Sequence, residues 1–400
     1  MKVIFEKSLA KGTVTAPPSK SVTHRALICA ALSSGECLIN GIDLSEDIKA
    51  TVRAAKAIGA KPDLKGSSLC VTGTSGKIHY GGDTIDCGEC ASTLRFMIPI
   101  LMTSKGGSFT GSKTLLSRPL SVYEDLCKKL GIGFDIKDGV LSVGGGLVSG
   151  DYSVPGNISS QFVTGLIFAL SLFSEDSLLS LTGKTESRPY IDLTIDVLKS
   201  FGVQVSTSGS DIYIKGGQKY NSAAFSIEGD WSNGAFLYAF NEAGGNLNIK
   251  GLSQESIQGD KAILSYIEEL NAPSAILDIS DSPDLGPLLM ALAAMKNGAR
   301  LTGTKRLRLK ESDRGKAMKE ELEKFGIDVR ISENSIDVSS GLKKPSDTLY
   351  SHNDHRIAMS LALLLSVTGG SLDGAEAVRK SWPDFYKVLK EKEVKLRYET

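Results

Sequence analysis

Repetition constrains this chain more than any single motif. A helix that opens on polar residues, a stop often marked by glycine and a short β-like run recur at intervals of about 70 residues, with one shorter unit. The opening helices start at Ser21, Glu89, Ser159, Asp230, Asp284 and His355, and end near Gly35, Gly106, Asp176, Gly244, Gly298 and Gly369. Each gives way to a short apolar run such as Cys37 to Ile39 or Leu178 to Leu181. A second helix usually follows, over Asp47 to Ile58, Val122 to Leu130, Asp192 to Phe201, Ala262 to Leu270 and Arg314 to Phe325, with Gly59, Gly131, Gly202 or Gly326 as the stop. Then come β-like runs such as Ser68 to Thr72 and Ser335 to Val338. Strands and helices that alternate in this way make an α/β protein, and six units in 400 residues divide into two domains of three. The expected domains are 18–227, with the first three units, and 1–17 with 228–400, with the first strand and the last three. Because the strand Lys2 to Glu6 precedes the first helix and pairs with the far domain, the chain should cross between domains twice.

Composition removes several function classes. Lys plus Arg equals Asp plus Glu at 46 each, so no global basic field exists to attract nucleic acid or anionic lipid, and any cationic site must be local. Residues 1–7 lack the apolar core of a signal peptide, and runs such as Leu361 to Val367 are too short to span a bilayer, so the cytoplasm is the expected compartment. The six cysteines all fall before residue 128 and read as reduced thiols. Cys87 and Cys90 have CxxC spacing but no second pair, which makes a weak zinc signature.

The polar residues at the helix starts carry the functional signal. Ser, Asp and Asn there are ordinary N-caps, but Lys20, Arg25, Arg95 and Arg356 are not, because the positive end of the helix dipole disfavours cations and favours bound anions. Loop residues add Arg118, Arg188, Lys380 and the run Arg306 to Arg314, where cations and carboxylates alternate before a helix. No Walker lysine loop occurs, and no GxGxxG opens a helix after a strand, so nucleotide chemistry is not indicated. A cationic pocket for small anions on a neutral protein is the reading that remains.

With these residues in view, the chain resembles the 5-enolpyruvylshikimate-3-phosphate synthases over essentially its full length. The motifs are Pro18 to Arg25 (PSKSVTHR), Ser92 to Arg95, Ser159 to Gln161, Ser187 to Tyr190, Glu228 to Asp230, Lys310 to Arg314 (KESDR), Asn353 to Arg356 (NDHR) and Lys380 to Asp384 (KSWPD), in the family's order. The resemblance implies two inverse α/β domains, each of three βαβαββ units, with the active site in the cleft between them. It implies enolpyruvyl transfer from phosphoenolpyruvate to the 5-hydroxyl of shikimate 3-phosphate by addition and elimination of phosphate, without metal or nucleotide cofactor, in a monomer that binds neither nucleic acid nor membrane. By the same resemblance, Lys20, Ser21, Arg25, Ser159, Ser160, Gln161, Ser187, Asp284, Arg306 and Lys310 hold shikimate 3-phosphate. Lys20, Ala91, Arg118, Gln161, Arg314, Arg356 and Lys380 hold phosphoenolpyruvate. Asp284 takes the proton of the attacking hydroxyl, and Glu311 with Lys20 manages the proton at the methylene carbon.

The chain departs from the family pattern at Glu89 and Arg306, where asparagine is common, and at Ala91, where glycine is usual beside phosphoenolpyruvate and its longer competitor glyphosate. The sister enolpyruvyl transferase acting on UDP-N-acetylglucosamine shares the architecture, but its members carry a reactive Cys or Asp in a loop near Arg118, and Thr114 to Ser121 has neither. A non-catalytic anion-binding repeat protein would not need Asp284, Glu311 and Lys310 together, and an RNA 3′-phosphate cyclase would need a nucleotide-accepting histidine.

Overall fold

The computed structural model describes residues 1–399. The six opening helices are Lys20–Leu32, Ala91–Met102, Ser160–Leu170, Trp231–Glu242, Gly286–Met295 and His355–Thr368. All are buried on nearly every face, which is why their sequences are apolar all round rather than striped. The second helices, such as Glu46–Ala57 and Ser121–Leu130, are amphipathic and carry lysine in the last turn. The second helix of the third unit is Arg188–Ser200, so Ser187 to Tyr190, expected in a loop, opens a helix. Pro189 in its first turn starts the helix one turn earlier than the apolar pattern indicates.

The chain divides into two compact units, Pro18–Glu228 and Met1–Pro17 with Gly229–Thr400. Each has its own hydrophobic core, one built entirely from residues between Val22 and Tyr220 and the other from residues outside that range. At the two crossings Ser19 N–H donates to Glu228 O at 2.8 Å within one unit, and Asp230 N–H donates to Pro17 O at 2.8 Å within the other.

Five of the six repeats fold around one small mixed sheet. In the second, Ile85–Asp86 runs parallel to Gly106–Thr110, which pairs antiparallel with Val140–Gly144, which pairs in turn with Phe134–Lys137. The hairpin closing that sheet turns on Asp138 and Gly139, with φ of 51° and 77°, the left-handed pair that a two-residue loop between twisted strands requires. The same strand order recurs in the first, third, fifth and sixth units. The shorter unit is the fourth, whose sheet is only Asn246–Lys250 parallel to Lys11–Thr15. The strand Lys2–Phe5 lies antiparallel between Gly370–Asp373 and Leu396–Glu399, so the two ends of the chain complete the sixth sheet.

One packing detail sets up a functional residue. Pro99 sits inside the helix Ala91–Met102 and has no N–H for the Arg95 carbonyl four residues back. The Tyr123 hydroxyl donates to that carbonyl instead, at 2.6 Å. Gly165 on the adjacent helix permits the approach: a Cβ there would stand 2.4 Å from Arg95 O and 2.5 Å from Tyr123 Oη. Arg95 is thereby held by its backbone as well as by its side chain.

Candidate active site

In the unit 18–228 the candidate residues gather on three helix starts. Ser19 caps the first, its side chain accepting from Val22 N–H, and places Lys20 at the first helical position. A cation there opposes the helix dipole, and the conflict is relieved by Asp47, whose Oδ2 lies 2.6 Å from Lys20 Nζ. Arg25, one turn on, is 3% exposed and donates from Nε to Thr194 Oγ1 at 2.9 Å, from Nη1 to Ser21 O at 2.7 Å and from Nη2 to Tyr190 O at 3.0 Å. Burial lowers its pKa to about 10, which leaves it cationic at neutral pH. Its guanidinium also stands 5.5 Å from the centre of the Phe96 ring.

The second and third helix starts are tied to each other. Arg95 Nη1 donates to Gln161 Oε1 at 2.8 Å, and Gln161 Nε2 donates to Ser92 Oγ at 2.8 Å. Both ends of the Gln161 amide are thus spoken for, and Arg95, lying 4.6 Å over the Phe162 ring, also reaches Pro119 O at 3.0 Å. The helix expected to begin at Glu89 begins at Ala91, because Cys90 is the N-cap and its sulfur accepts from Thr93 N–H. Glu89 is half-buried just ahead of it, and Ala91 is the first helical residue, 7% exposed. Ser159 caps the third helix with Ser160 at its first position. Ser187 precedes its helix with φ of 56°, a left-handed conformation costly for a non-glycine residue and concentrated at functional sites. Arg118 is half-buried after the short helix Lys113–Leu116.

In the other unit the residues converge on Arg314, whose side chain is 1% exposed and held by three carboxylates. Its Nε lies 2.8 Å from Asp354 Oδ2, its Nη1 2.7 Å from Asp284 Oδ1 and its Nη2 2.7 Å from Glu311 Oε2. Burial disfavours the cation, but Asp354, Glu311 and Asp284 outweigh it and raise the Arg314 pKa. Lys310 Nζ is 2.8 Å from the same Asp284 oxygen. Burial would raise the Asp284 pKa, yet Lys310, Arg314 and Arg356 together hold it well below the usual carboxylate range. Lys310 moves the other way: burial lowers it and Arg314 adds to that, against the pull of Asp284. Asp284 lies in a single 3-10 turn, Pro283–Leu285, ahead of the fifth opening helix rather than capping it.

Arg356 donates from Nη1 to Ser232 O at 2.8 Å and to Asn233 Oδ1 at 3.3 Å, while its buried Nε and the buried Ser232 Oγ have no protein partner. Two unmet polar atoms on the facing starts of the helices Trp231–Glu242 and His355–Thr368 mark a place for a ligand or ordered water. Lys380 donates to Asn353 O, presented by consecutive left-handed residues His352 and Asn353 with φ of 51° and 53°. Arg306 is buried in the 3-10 turn Lys305–Leu309 and donates to Ser280 O at 2.5 Å.

Sequence reasoning missed the counter-ions. Asp47 looks like an ordinary first-turn acid after the Ser45 cap, and nothing local tells that it reaches Lys20. Asp354 reads as a cap, which it is, with Arg356 N–H at 2.8 Å, but the same carboxylate also grips Arg314. Among the described residues all six cysteines are free, and no helix is long and apolar enough to cross a membrane.

Comparison with known proteins gives one consistent result. The family model for EPSP synthase (3-phosphoshikimate 1-carboxyvinyltransferase) matches residues 6–389. The 3-phosphoshikimate 1-carboxyvinyltransferase of Clostridium kluyveri is 41% identical, over 94% of this chain and 93% of that protein. That of Clostridium perfringens is 36% identical, over 97% of each. The fold is also that of the EPSP synthase of Acinetobacter baumannii, with a TM-score of 0.81 at 22% identity over 100% of this chain and 99% of the other. By its sequence along nearly its whole length, the chain belongs to the EPSP synthase family.

Proposed function

We propose that this chain joins phosphoenolpyruvate to the 5-hydroxyl of shikimate 3-phosphate, and that the two groups of residues described above divide the work. The single observation that carries the residue assignment is Arg314, a buried guanidinium that holds Asp284 and Glu311 on its two terminal nitrogens. Two carboxylates on one cation are two acid/base groups kept in register. Arg25, Lys310 and the hydroxyls of Ser21, Ser159, Ser160 and Ser187 would hold shikimate 3-phosphate, with Gln161 and Arg306 beside it. Lys20, Arg118, Arg314, Arg356 and Lys380 would hold phosphoenolpyruvate, with Ala91 as an apolar limit to its site.

The geometry suggests how the base is armed. While paired with Lys310 and Arg314, Asp284 is too weakly basic to take a hydroxyl proton readily. A substrate carboxylate arriving on Arg314 competes for the nitrogen that Asp284 occupies, and Asp284 regains basicity as that pair loosens. It then accepts the proton of the 5-hydroxyl as oxygen attacks C2 of phosphoenolpyruvate, while Glu311 with Lys20 delivers a proton to C3. Elimination reverses the second transfer: a proton leaves the new methyl group, phosphate departs from C2, and the enol ether double bond forms. The cations around the site stabilise charge in the transition state, and Arg25 and Arg356 need no reorganisation because backbone and side-chain acceptors already fix them.

The reaction needs no cofactor from outside these residues, and reduced thiols suit the cytoplasm. The UDP-N-acetylglucosamine alternative is not favoured by the family that the chain belongs to. Phosphate release from phosphoenolpyruvate, measured separately with shikimate 3-phosphate and with UDP-N-acetylglucosamine, tests the reading. Release is expected with the first alone, and release with only the second would overturn it.

A further inference from the structure

We propose that His24, Cys90 and Asp47 form a site for one thiophilic divalent cation of the zinc class, and that filling it takes Asp47 from Lys20 and switches the enzyme off. One ligand atom from each residue lies within 4.8 Å of the others, and among the described residues no other His, Cys, Asp or Glu trio is so placed. Ligands of a tetrahedral zinc at about 2.0 to 2.3 Å stand about 3.3 to 3.8 Å apart, so closing on the ion asks for a contraction of about 1 Å. Nitrogen, sulfur and one carboxylate oxygen, with a fourth position left for water, are the donor set of that class of ion. The CxxC spacing is incidental, since Cys90 finds its partners across the fold and not in Cys87.

The hydrogen bonds around the trio already hold the histidine in its binding form. Thr93 Oγ1 donates to Cys90 Sγ at 3.1 Å, and the one proton of Thr51 Oγ1 goes to Thr93 Oγ1, 2.7 Å away, or to Asp47 O, 3.4 Å away. Thr51 in turn accepts from His24 Nδ1, at 2.7 Å. This chain fixes the proton on Nδ1 and turns the lone pair of Nε2 toward Cys90 Sγ, at 3.8 Å. An outer hydroxyl that sets the histidine tautomer is the usual support of a metal site. Burial, with Lys20 and Arg25 adding to it, keeps His24 well below its ordinary pKa and so neutral, the form that ligates. Burial also pushes the Cys90 thiol up to about 12, so ligation must expel its proton to solvent and tightens as pH rises.

Access and charge couple the site to Lys20. His24 and Cys90 are each 2% exposed, whereas the Asp47 side chain is 14% exposed and paired with the 17% exposed side chain of Lys20. An ion therefore enters by parting that pair. With thiolate and carboxylate the divalent ion is neutralised, and the Lys20 ammonium is left beside a neutral centre without the carboxylate that held it. The switching half of the proposal rests on the reading of Lys20 given above; the site itself does not.

Titration of the intact protein with Co²⁺, followed by the thiolate-to-cobalt charge-transfer band, tests both halves. One equivalent is expected to develop the band, Zn²⁺ to abolish it by competition, and turnover to fall in proportion to occupancy and return with a chelator. Cys90→Ser keeps an N-cap oxygen and so the helix start, but should show no band and no metal sensitivity. Thr51→Val should weaken binding by about 10- to 100-fold through loss of the tautomer support. No band in the parent protein, or an undiminished band in Cys90→Ser, overturns the site. A band lost in Cys90→Ser, with turnover in the parent untouched by loading, leaves the site standing and overturns the switch together with the role of Lys20.

Discussion

At the scale of single residues, the chemistry turns on how charged groups restrain one another. Asp284 is expected to be a base only when substrate loosens its pairs, so Asp284→Asn should keep shikimate 3-phosphate binding while turnover falls by roughly 10²-fold or more. Rapid-quench turnover beside a binding titration checks this, and near-normal turnover would remove Asp284 from the role. Lys310 acts as a cation whose pKa lies below the ordinary 10.5, lowered by burial first and then by Arg314. The charged form is lost as pH rises through a value below 10.5, so the alkaline limb of kcat/KM should begin below 10.5. Lys310→Arg should move that limb upward if the assignment holds. Ala91, first residue of its helix and nearly buried, brings a methyl group to a position where the family usually has hydrogen. Overfilling of about one methyl costs about 1 to 3 kcal/mol, more for a longer ligand than a shorter one, so Ala91→Gly should gain roughly tenfold or more in glyphosate sensitivity. Inhibition measured against phosphoenolpyruvate decides it, and an unchanged constant would defeat the steric argument.

At the scale of elements, the site depends on segments that present backbone atoms in unusual conformations, and these need anchors of their own. The left-handed pair His352 and Asn353 is pinned through Glu321 on the helix Arg314–Lys324. Glu321, with its side chain 2% exposed, receives Lys324 Nζ at 2.9 Å, His352 Nε2 at 2.9 Å and Tyr350 N–H at 3.0 Å. Burial would raise its pKa, but those three donors bring it below 4.5. The stability it contributes is therefore present above the unfolded value and is lost as pH falls through the lower folded value. Glu321→Gln should cost about 1.5 to 3 kcal/mol at pH 7, the worth of hydrogen bonds to a charged group. Urea unfolding at pH 7 and again well below pH 4.5 should show that gap closing, and a gap that does not narrow would mean the carboxylate is not the anchor. Element boundaries followed local chemistry unevenly. Periodicity and glycine stops locate the second helices, whereas the starts at Ala91 and Arg188 follow from a cysteine cap and a proline whose meaning depends on what surrounds them.

At the scale of the whole molecule, the two separate cores make a prediction about folding. Residues 18–228 form a continuous stretch with a complete core and internally paired sheets, so that fragment should fold alone and unfold cooperatively in denaturant. The remainder is discontinuous: Lys2–Phe5 and Lys11–Thr15 each complete a sheet whose other strands come from 229–400, so 229–400 alone should not. Calorimetry of the two fragments distinguishes these outcomes, and a disordered 18–228 fragment would show that its core is not self-sufficient. Much of this architecture is legible in the sequence because repeat period, apolar periodicity, caps and glycine stops act over a few residues, and every unit states them again. The positions of Lys20, Arg25, Asp284, Arg314 and Arg356 at element starts are legible for the same reason. What they touch is not. Arg25 rests on Thr194, 169 residues away, Arg356 on Ser232, 124 away, and Lys20 on Asp47, 27 away. Such partners are chosen by how helices pack and by which buried charge most needs an opposite one, a balance of burial against pairing that no short stretch of chain contains.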